Sequence, residues 1–415
     1  MNILRTTISI LLLITLNVSA QLTHSFEKTA ATKQFGFTRD VAVSGDGTVF
    51  AAHGENGLCA YSYNGSSFTN IANIDNGGYA TGVAVSPDGS IFLANAQGGL
   101  RAYSFDGSSL VNTAHIDDGG YASGVAISED GTVFLANAEG GLIAYHYNGS
   151  SLTNTAQIYD GGEYRDVAVA GDGTVFVAKG GLIAYSYDGS AFVKTAHIED
   201  GSNSSGISVA DDGTIFVACS GGGLRAYSFD GSSLVNTAHI DDGGIALGVS
   251  VSEDGTIFVA NTWDGLRAYS FDGTSFTNTA HLDDWGYPIK LVTSQDGTIF
   301  VANGESGLAA YVYSSSTTHL ANISADIPKE FRLEQNYPNP FNPSTNITFS
   351  LPDKKYVKLE VYNSLGKVIA VLVNEEKDAG TYNFKYDASR LSSGIYYCLM
   401  RAGNFSLSRK MVLLK

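Results

Sequence analysis

Cysteine is scarce in this chain, with only Cys59, Cys219 and Cys398 among 415 residues. An odd and widely spaced set does not make a disulfide framework, and the three are expected to be small buried residues. Proline is rare as well. Seven prolines stand against 48 glycines, 23 tyrosines and 21 phenylalanines, a balance that points to many short strands joined by tight turns. Positive charge is thin before the last quarter of the chain: residues 21–328 carry a net charge of −23. That excludes a nucleic-acid role, which needs basic surface to neutralise phosphates, and it repels anionic membrane surfaces. After the first 20 residues no stretch reaches 18 uninterrupted apolar residues, so no membrane span is expected. No stretch shows a 3.6-residue period without a glycine break, which excludes helical repeats. The G-x-S-x-G, H-E-x-x-H and P-loop patterns are all absent, so the strong catalytic signatures are missing.

What remains is apolar enough to fold. Hydrophobic residues make up 44% of the chain and charged residues 16%, which argues against wholesale disorder. The start places Arg5 before an apolar run over 8–16 and then Val18-Ser19-Ala20. A basic residue, a core too short to span a bilayer and small residues at its end make residues 1–20 a secretory signal peptide, with cleavage expected after Ala20.

The pair Asp-Gly recurs at Asp46, Asp88, Asp130, Asp172, Asp212, Asp254 and Asp296, spaced by 42, 42, 42, 40, 42 and 42 residues. One unit, starting at Gly82, reads GVAVSPDGSIFLANAQGGLRAYSFDGSSLVNTAHIDDGGYA. Asp88-Gly89 and Asp106-Gly107 supply the positive-φ positions of hairpin turns, and the apolar alternation between turns gives four strands. Four antiparallel strands in about 42 residues make a propeller blade, and seven units make seven blades. The phrase Gly-Val-Ala-Val-Ser-x-Asp-Gly-Thr-Ile-Phe-Val-Ala is similar to NHL and lactonase-type repeats. That resemblance implies the architecture and leaves the activity open, since such propellers host lyases, lactonases and pure binding proteins. Residues 25–31 match the fourth strand of a unit and precede the first complete one, so they are expected to close the ring in preference to residues 317–323.

Composition changes after a linker over 326–336. Alternating segments over 346–351, 357–363, 368–373, 380–386, 394–401 and 405–414 predict a small Ig-like β-sandwich over 337–415. The fold class is therefore all-β, a seven-bladed β-propeller over 21–325 followed by that sandwich. The tail resembles the type A sorting domain of the type IX secretion system. The match is carried by Pro338, Asn339, Pro340, Phe341, Asn342 and Pro343, by Gly366, Gly380 and Gly394, and by Lys410 and Lys415 near the end. The resemblance implies export to the outside or to the cell surface, with the secretion machinery as partner through this tail. The tail carries a net charge of +5 over 329–415, opposite in sign to the propeller.

Four histidines, His115, His197, His239 and His281, share one repeat position on the outermost strand. Neighbouring copies lie too far apart to chelate one zinc ion and read as packing or hydrogen-bonding residues. The pairs Asp117-Asp118, Asp241-Asp242 and Asp283-Asp284 lack the spaced D-x-D-x-D-G calcium loop and read as turn carboxylates. No metal or cofactor is expected. Where units depart from the consensus, two sets share one end of the ring. Arg39, Asp40 and His53 mark unit one, and Tyr164, Arg165, Asp166 and Lys179 mark unit four. Unit six brings Trp263, and Tyr287 with Lys290 enters unit seven. Basic and aromatic side chains around a funnel mouth suit a polar or anionic small ligand or a glycan. The expected function is an exported binding propeller for a glycan or protein. Two alternatives stand beside it: a lactonase-like hydrolase or lyase using Arg39, His53, Arg165 and Lys179, and a structural spacer.

Overall fold

The computed structural model describes residues 22–317 and 330–414, apart from 34, 35, 76, 200, 202, 284, 285, 365, 378, 389, 390 and 404. The expected signal peptide and residues 326–329 of the linker lie outside the described residues. The chain divides into two compact units, one spanning residues 23–316 and the other containing residues 317–415.

The first unit holds seven four-stranded antiparallel sheets. Blade two is representative: Gly82–Val85, Ile91–Ala94, Leu100–Phe105 and Leu110–Ile116. Its hairpins follow the residue chemistry. Asp88 Oδ1 accepts from the Ser90 backbone N–H at 2.9 Å, and Gly89 takes the φ of 84° that a side chain would resist. The second strand is buried along its whole length, while the third is buried for one turn of the pleat and then emerges. A strand covered on both faces calls for continuous apolar residues, which is what Ile91-Phe92-Leu93-Ala94 supplies.

Blades join through aromatic pairs. The phenylalanine of each second strand meets, edge to face, the aromatic residue ending the third strand of the next blade. Phe50 meets Phe105 at 5.6 Å, Phe92 meets Tyr147 at 5.2 Å and Phe134 meets Tyr187 at 5.4 Å between ring centres. Phe176 with Phe229, Phe216 with Phe271 and Phe258 with Tyr313 continue the series, and Phe300 with Tyr63 at 5.2 Å crosses the seam from blade seven to blade one. Such pairs contribute about 0.5–1.5 kcal/mol each beyond area burial, and here they run unbroken around the ring.

The seam is closed by the amino-terminal strand. Leu22–Thr32 lies beside Leu308–Thr317 in blade seven. Thr29 donates to the Ala310 carbonyl at 3.2 Å, and its hydroxyl meets that of Tyr63 in blade one at 2.5 Å. The two ends of the propeller sequence thus share one sheet, as the repeat pattern predicts.

The second unit is a two-sheet sandwich. Arg332–Leu333, Ser344–Leu351 and Gly380–Asp387 form one sheet; Val368–Lys377, Lys355–Asn363, Gly394–Ala402 and Phe405–Leu413 form the other. Leu333, Phe341, Phe349, Leu359 and Met411 are among its buried core. The short strand at Arg332–Leu333 places the start of the sandwich a few residues ahead of the compositional boundary at 337. All three cysteines are buried and outside any disulfide, and burial pushes the Cys59 and Cys398 thiols up to about 12.

Candidate ligand-binding face

At one end of the ring lie the turns between second and third strands and the lead-in loops that carry the chain into the next inner strand. Each second strand ends in alanine, and the side chain that follows it does not face the mouth as strand counting suggests. The next residue takes a left-handed conformation, with φ of 48° at Ala96, 38° at Ala138 and 51° at Gly54. The turn therefore curls beneath the lead-in loop. Asn95, Asn137 and Asn261 are buried, and each donates its amide to a loop carbonyl: Gly77 at 2.7 Å, Gly119 at 2.6 Å and Gly243 at 2.7 Å. These carbonyls need a partner once water is excluded. His53 takes this position in blade one and is 1% exposed. Its ring nitrogens meet Thr38 Oγ1 at 3.0 Å and Tyr61 Oη at 2.9 Å, and burial lowers its pKa to about 4. Lys179 does the same service in blade four, donating to the Asp160 carbonyl at 3.2 Å and its carboxylate at 2.6 Å. Both leave the set of ligand-facing residues: they hold loops down.

The paired aspartates divide their labour. The first accepts from a turn amide, as Asp117 does from Gly119 at 2.9 Å. The second clasps its own blade. Asp118 accepts from Asn154 at 2.9 Å, and Asp242 accepts from Asn278 at 2.8 Å and Tyr269 at 3.2 Å. In blade four Asp160 accepts from Lys179 and Lys194, both at 2.6 Å, and from buried Tyr164. Burial works to raise the Asp160 pKa, yet these donors outweigh it and hold the carboxylate well below its usual range. Tyr164 is therefore a clasp residue as well. The outer-strand histidines bond within their own blades: His115, His239 and His281 donate Nε2–H to the carbonyls of Gly98, Gly222 and Asp264 at 2.7–2.8 Å.

The inner strands begin at Asp40, Gly82, Gly124, Asp166, Gly206, Gly248 and Lys290. Four are glycine, and at two of them the next blade's backbone leaves no room for a side chain. A Cβ on Gly248 would sit 2.5 Å from the Ile289 carbonyl oxygen, and one on Gly206 would sit 2.5 Å from that of Leu247. The three charged residues meet at the axis. Lys290 pairs with Asp166, 124 residues away in sequence and on the far side of the ring. Asp166 also accepts from the Ile207 N–H at 3.0 Å, and Asp40 accepts from the Val83 N–H at 2.9 Å. Burial raises the Asp40 pKa to about 6 against the pull of Lys290. Asp40, Asp166 and Lys290 thus form one polar cluster among the inner strands.

Of the remaining departures Trp263 is exposed, while Arg39, Arg165 and Tyr287 are half-buried. Three residues before each inner strand stand Phe37, Tyr79, Tyr121, Glu163, Asn203, Ile245 and Tyr287. The aromatic members occupy blades seven, one, two and three in succession, and sequence reading singled out only Tyr287 among them. Their signal was in the repeat alignment: one register position holds an aromatic residue in four units. Arg39 approaches two of these rings, 4.6 Å from the Phe37 centre and 5.1 Å from that of Tyr79, and donates to the Tyr79 hydroxyl at 3.1 Å. Trp263 is 72% exposed and meets Tyr287 edge to face at 4.7 Å. Beside Tyr121 lies a hollow of about 510 Å³ lined by Gln97, Ser123, Glu139, Glu163 and Arg165. Arg165 is itself paired with Glu163 at 3.2 Å and donates to Asn203 at 2.5 Å.

The sandwich unit has its own organised segment. Asn339 accepts from the Val412 N–H at 2.8 Å and donates to the Lys410 carbonyl at 3.1 Å. Phe341 is buried and exchanges backbone bonds with the same end strand, its N–H to the Val412 carbonyl at 2.9 Å and its carbonyl to the Leu414 N–H at 3.0 Å. Pro338 offers its carbonyl to Asn336 and Thr345, and Pro343 to the Ala388 N–H. Gly366 takes a φ of 76° in its turn. Lys410 is exposed, and Lys415 lies outside the described residues. Residues 335–414 match the secretion system C-terminal sorting domain. A sorting domain of the type IX system marks the chain for export to the cell surface or beyond. Among the described residues no helix is long and apolar enough to cross a membrane.

No curated protein sequence matches the chain. Solved structures similar to it are propellers. An inactive variant of virginiamycin B lyase from Staphylococcus aureus, with quinupristin, superposes with a TM-score of 0.58 at 10% identity, over 70% of this chain and 99% of that one. A streptogramin B lyase gives 0.58 at 11% identity, over 71% and 98%. The WD40 propeller domain of Doa1 gives 0.56 at 14%, over 70% and 97%. At such identities the likeness is one of fold.

Proposed function

We propose that this protein is an exported binding propeller that takes a glycan or protein ligand on the loop face of the ring. The observation that carries this reading is where the seven repeats differ. At the opposite end the Asp-Gly hairpins recur in every blade. On the loop face the positions three and one before the inner strand hold Phe37 and Arg39, Glu163 and Arg165, Ile245 and Leu247, or Tyr287 and Ile289. Side chains that the blade does not need, displayed together on one face, suit recognition. The titratable groups that would serve an enzyme at the mouth are instead committed to packing and clasping: His53 is buried, and Lys179 and Lys290 are paired. The likeness to lyases of streptogramin type speaks for the ring alone.

The test is binding of the purified full chain to arrays of glycans and of extracellular proteins, with two variants alongside. Arg165→Ala combined with Trp263→Ala should weaken binding. Ser108→Ala combined with Ser232→Ala, on the opposite hairpins, should leave it unchanged. Loss of binding in the hairpin variant alone would place the ligand on the other face and sink the proposal.

A further inference from the structure

We infer that the loop face takes a neutral polysaccharide, laid along the aromatic arc formed by Trp263, Tyr287, Phe37, Tyr79 and Tyr121 and running into the hollow beside Tyr121. This rests on the binding reading above and narrows the ligand to one chemical class.

Two independent observations point to it. The first is the arc. Five aromatic side chains follow one another through blades six, seven, one, two and three, and Trp263 leaves 72% of its surface open. Phe37 and Tyr79 both contact the Arg39 guanidinium, and Trp263 is braced by Tyr287. A pyranose ring has a face of C–H groups and a rim of hydroxyls. The negative face of an aromatic ring attracts the C–H groups, and the flat contact costs little side-chain entropy. A chain of sugars meets such a series of rings repeatedly. At the end of the arc, the hollow of about 510 Å³ has room for a few sugar units and is lined with hydroxyl, amide and carboxylate groups from Ser123, Gln97, Glu139 and Glu163.

The second observation is charge. The basic residues at the mouth suggested an anionic ligand, but the structure matches them internally. Arg165 pairs with Glu163, Lys179 with Asp160, Lys290 with Asp166, and Arg267 with Asp264 at 2.6 Å. Arg39 donates to a tyrosine hydroxyl. The hollow adds an exposed carboxylate, Glu139, to the Arg165–Glu163 pair. A polyanion would have to displace these partners within a domain whose net charge is already −23. A neutral sugar chain loses nothing by it.

The test is affinity electrophoresis of the full chain in gels containing neutral polysaccharides (a β-glucan, a mannan and a xylan) or acidic ones (polygalacturonate and alginate). Retardation by at least one neutral polysaccharide is expected. It should persist in about 1 M salt, where exposed charges are screened beyond ~3 Å. Trp263→Ala and Tyr121→Ala should each weaken it roughly tenfold, as truncation of an aromatic anchor does. Near-ultraviolet circular dichroism of each variant checks that the ring is intact. Retardation by the acidic gels alone, abolished by salt, would overturn the neutral class while leaving the loop face as the binding surface. Retardation by a neutral gel that both variants retain would overturn the arc. No retardation in any neutral gel would overturn the inference outright, whereas capture of a protein on the loop face would still uphold the broader function.

Discussion

His53 and Asp40 titrate in opposite senses inside blade one. The Asp40 pKa is raised from 3.8 to about 6, so folding favours its protonated form; its contribution is greatest at low pH and is lost as pH rises through 6. The His53 pKa is lowered from 6.5 to about 4, so folding favours its neutral form; that contribution is present above 6.5 and is lost as pH falls towards 4. Each shift of about two units corresponds to roughly 3 kcal/mol before screening by water at the axis. Over the same window the two slopes largely cancel. His53→Asn, which restores the consensus residue, removes one of them. The variant should therefore gain about 2 kcal/mol over wild type between pH 7 and pH 5, read as the difference of urea midpoints at the two values. Identical pH dependence of the two proteins would show that His53 contributes no slope over this window. Residues of this kind were also the hardest to read from sequence. His53 and Lys179 follow the last residue of a strand, which marks where the strand stops but not that the chain then folds under a loop. The better clue was asparagine at the same place in four other units, since a repeated side chain serves a repeated bond.

At the scale of strands the sequence was far more legible. Asp-Gly pairs fix hairpin positions because few residues tolerate the required φ, and the alternation between them fixes which side chains point inward. The ring closure was legible for the same reason, since residues 25–31 repeat the outer-strand pattern. The aromatic pairs between blades were not, because partners such as Phe300 and Tyr63 lie more than two hundred residues apart and meet only when the ring is complete. Removing residues 22–32 should therefore cost more than one edge strand. It exposes the flank of Leu308–Thr317, strips Thr29 from Tyr63 and uncovers Phe258, against which Phe26 packs at 6.0 Å. An exposed, apolar sheet edge invites pairing between molecules. The shortened chain should elute as aggregates on size exclusion and melt well below the full chain. A monomer of unchanged melting temperature would mean that blade seven is stable with three strands.

On the scale of the whole molecule, the two parts of the chain carry opposite charge, −23 over residues 21–328 and +5 over 329–415. The propeller closes on its own amino-terminal strand, and among the described residues each of its blades is built from propeller strands. The sandwich in turn ties its Pro-Asn-Pro-Phe segment to its last strand, through Asn339 on Lys410 and Val412 and through Phe341 on Val412 and Leu414. Folding and addressing are therefore separable. Deleting residues 335–414 should leave a folded, protease-resistant propeller that crosses the inner membrane and stops there, with none on the cell surface. Asn339→Ala should give a milder version. It leaves the half-buried Val412 N–H without its acceptor, at about 1 kcal/mol, and loosens the end strand. Surface labelling together with fractionation of the cell measures both. Undiminished surface labelling of the deleted chain would show that the address lies elsewhere in the sequence. Surface labelling of the Asn339→Ala chain at wild-type level would show that the sorting machinery does not depend on how firmly this segment holds the last strand.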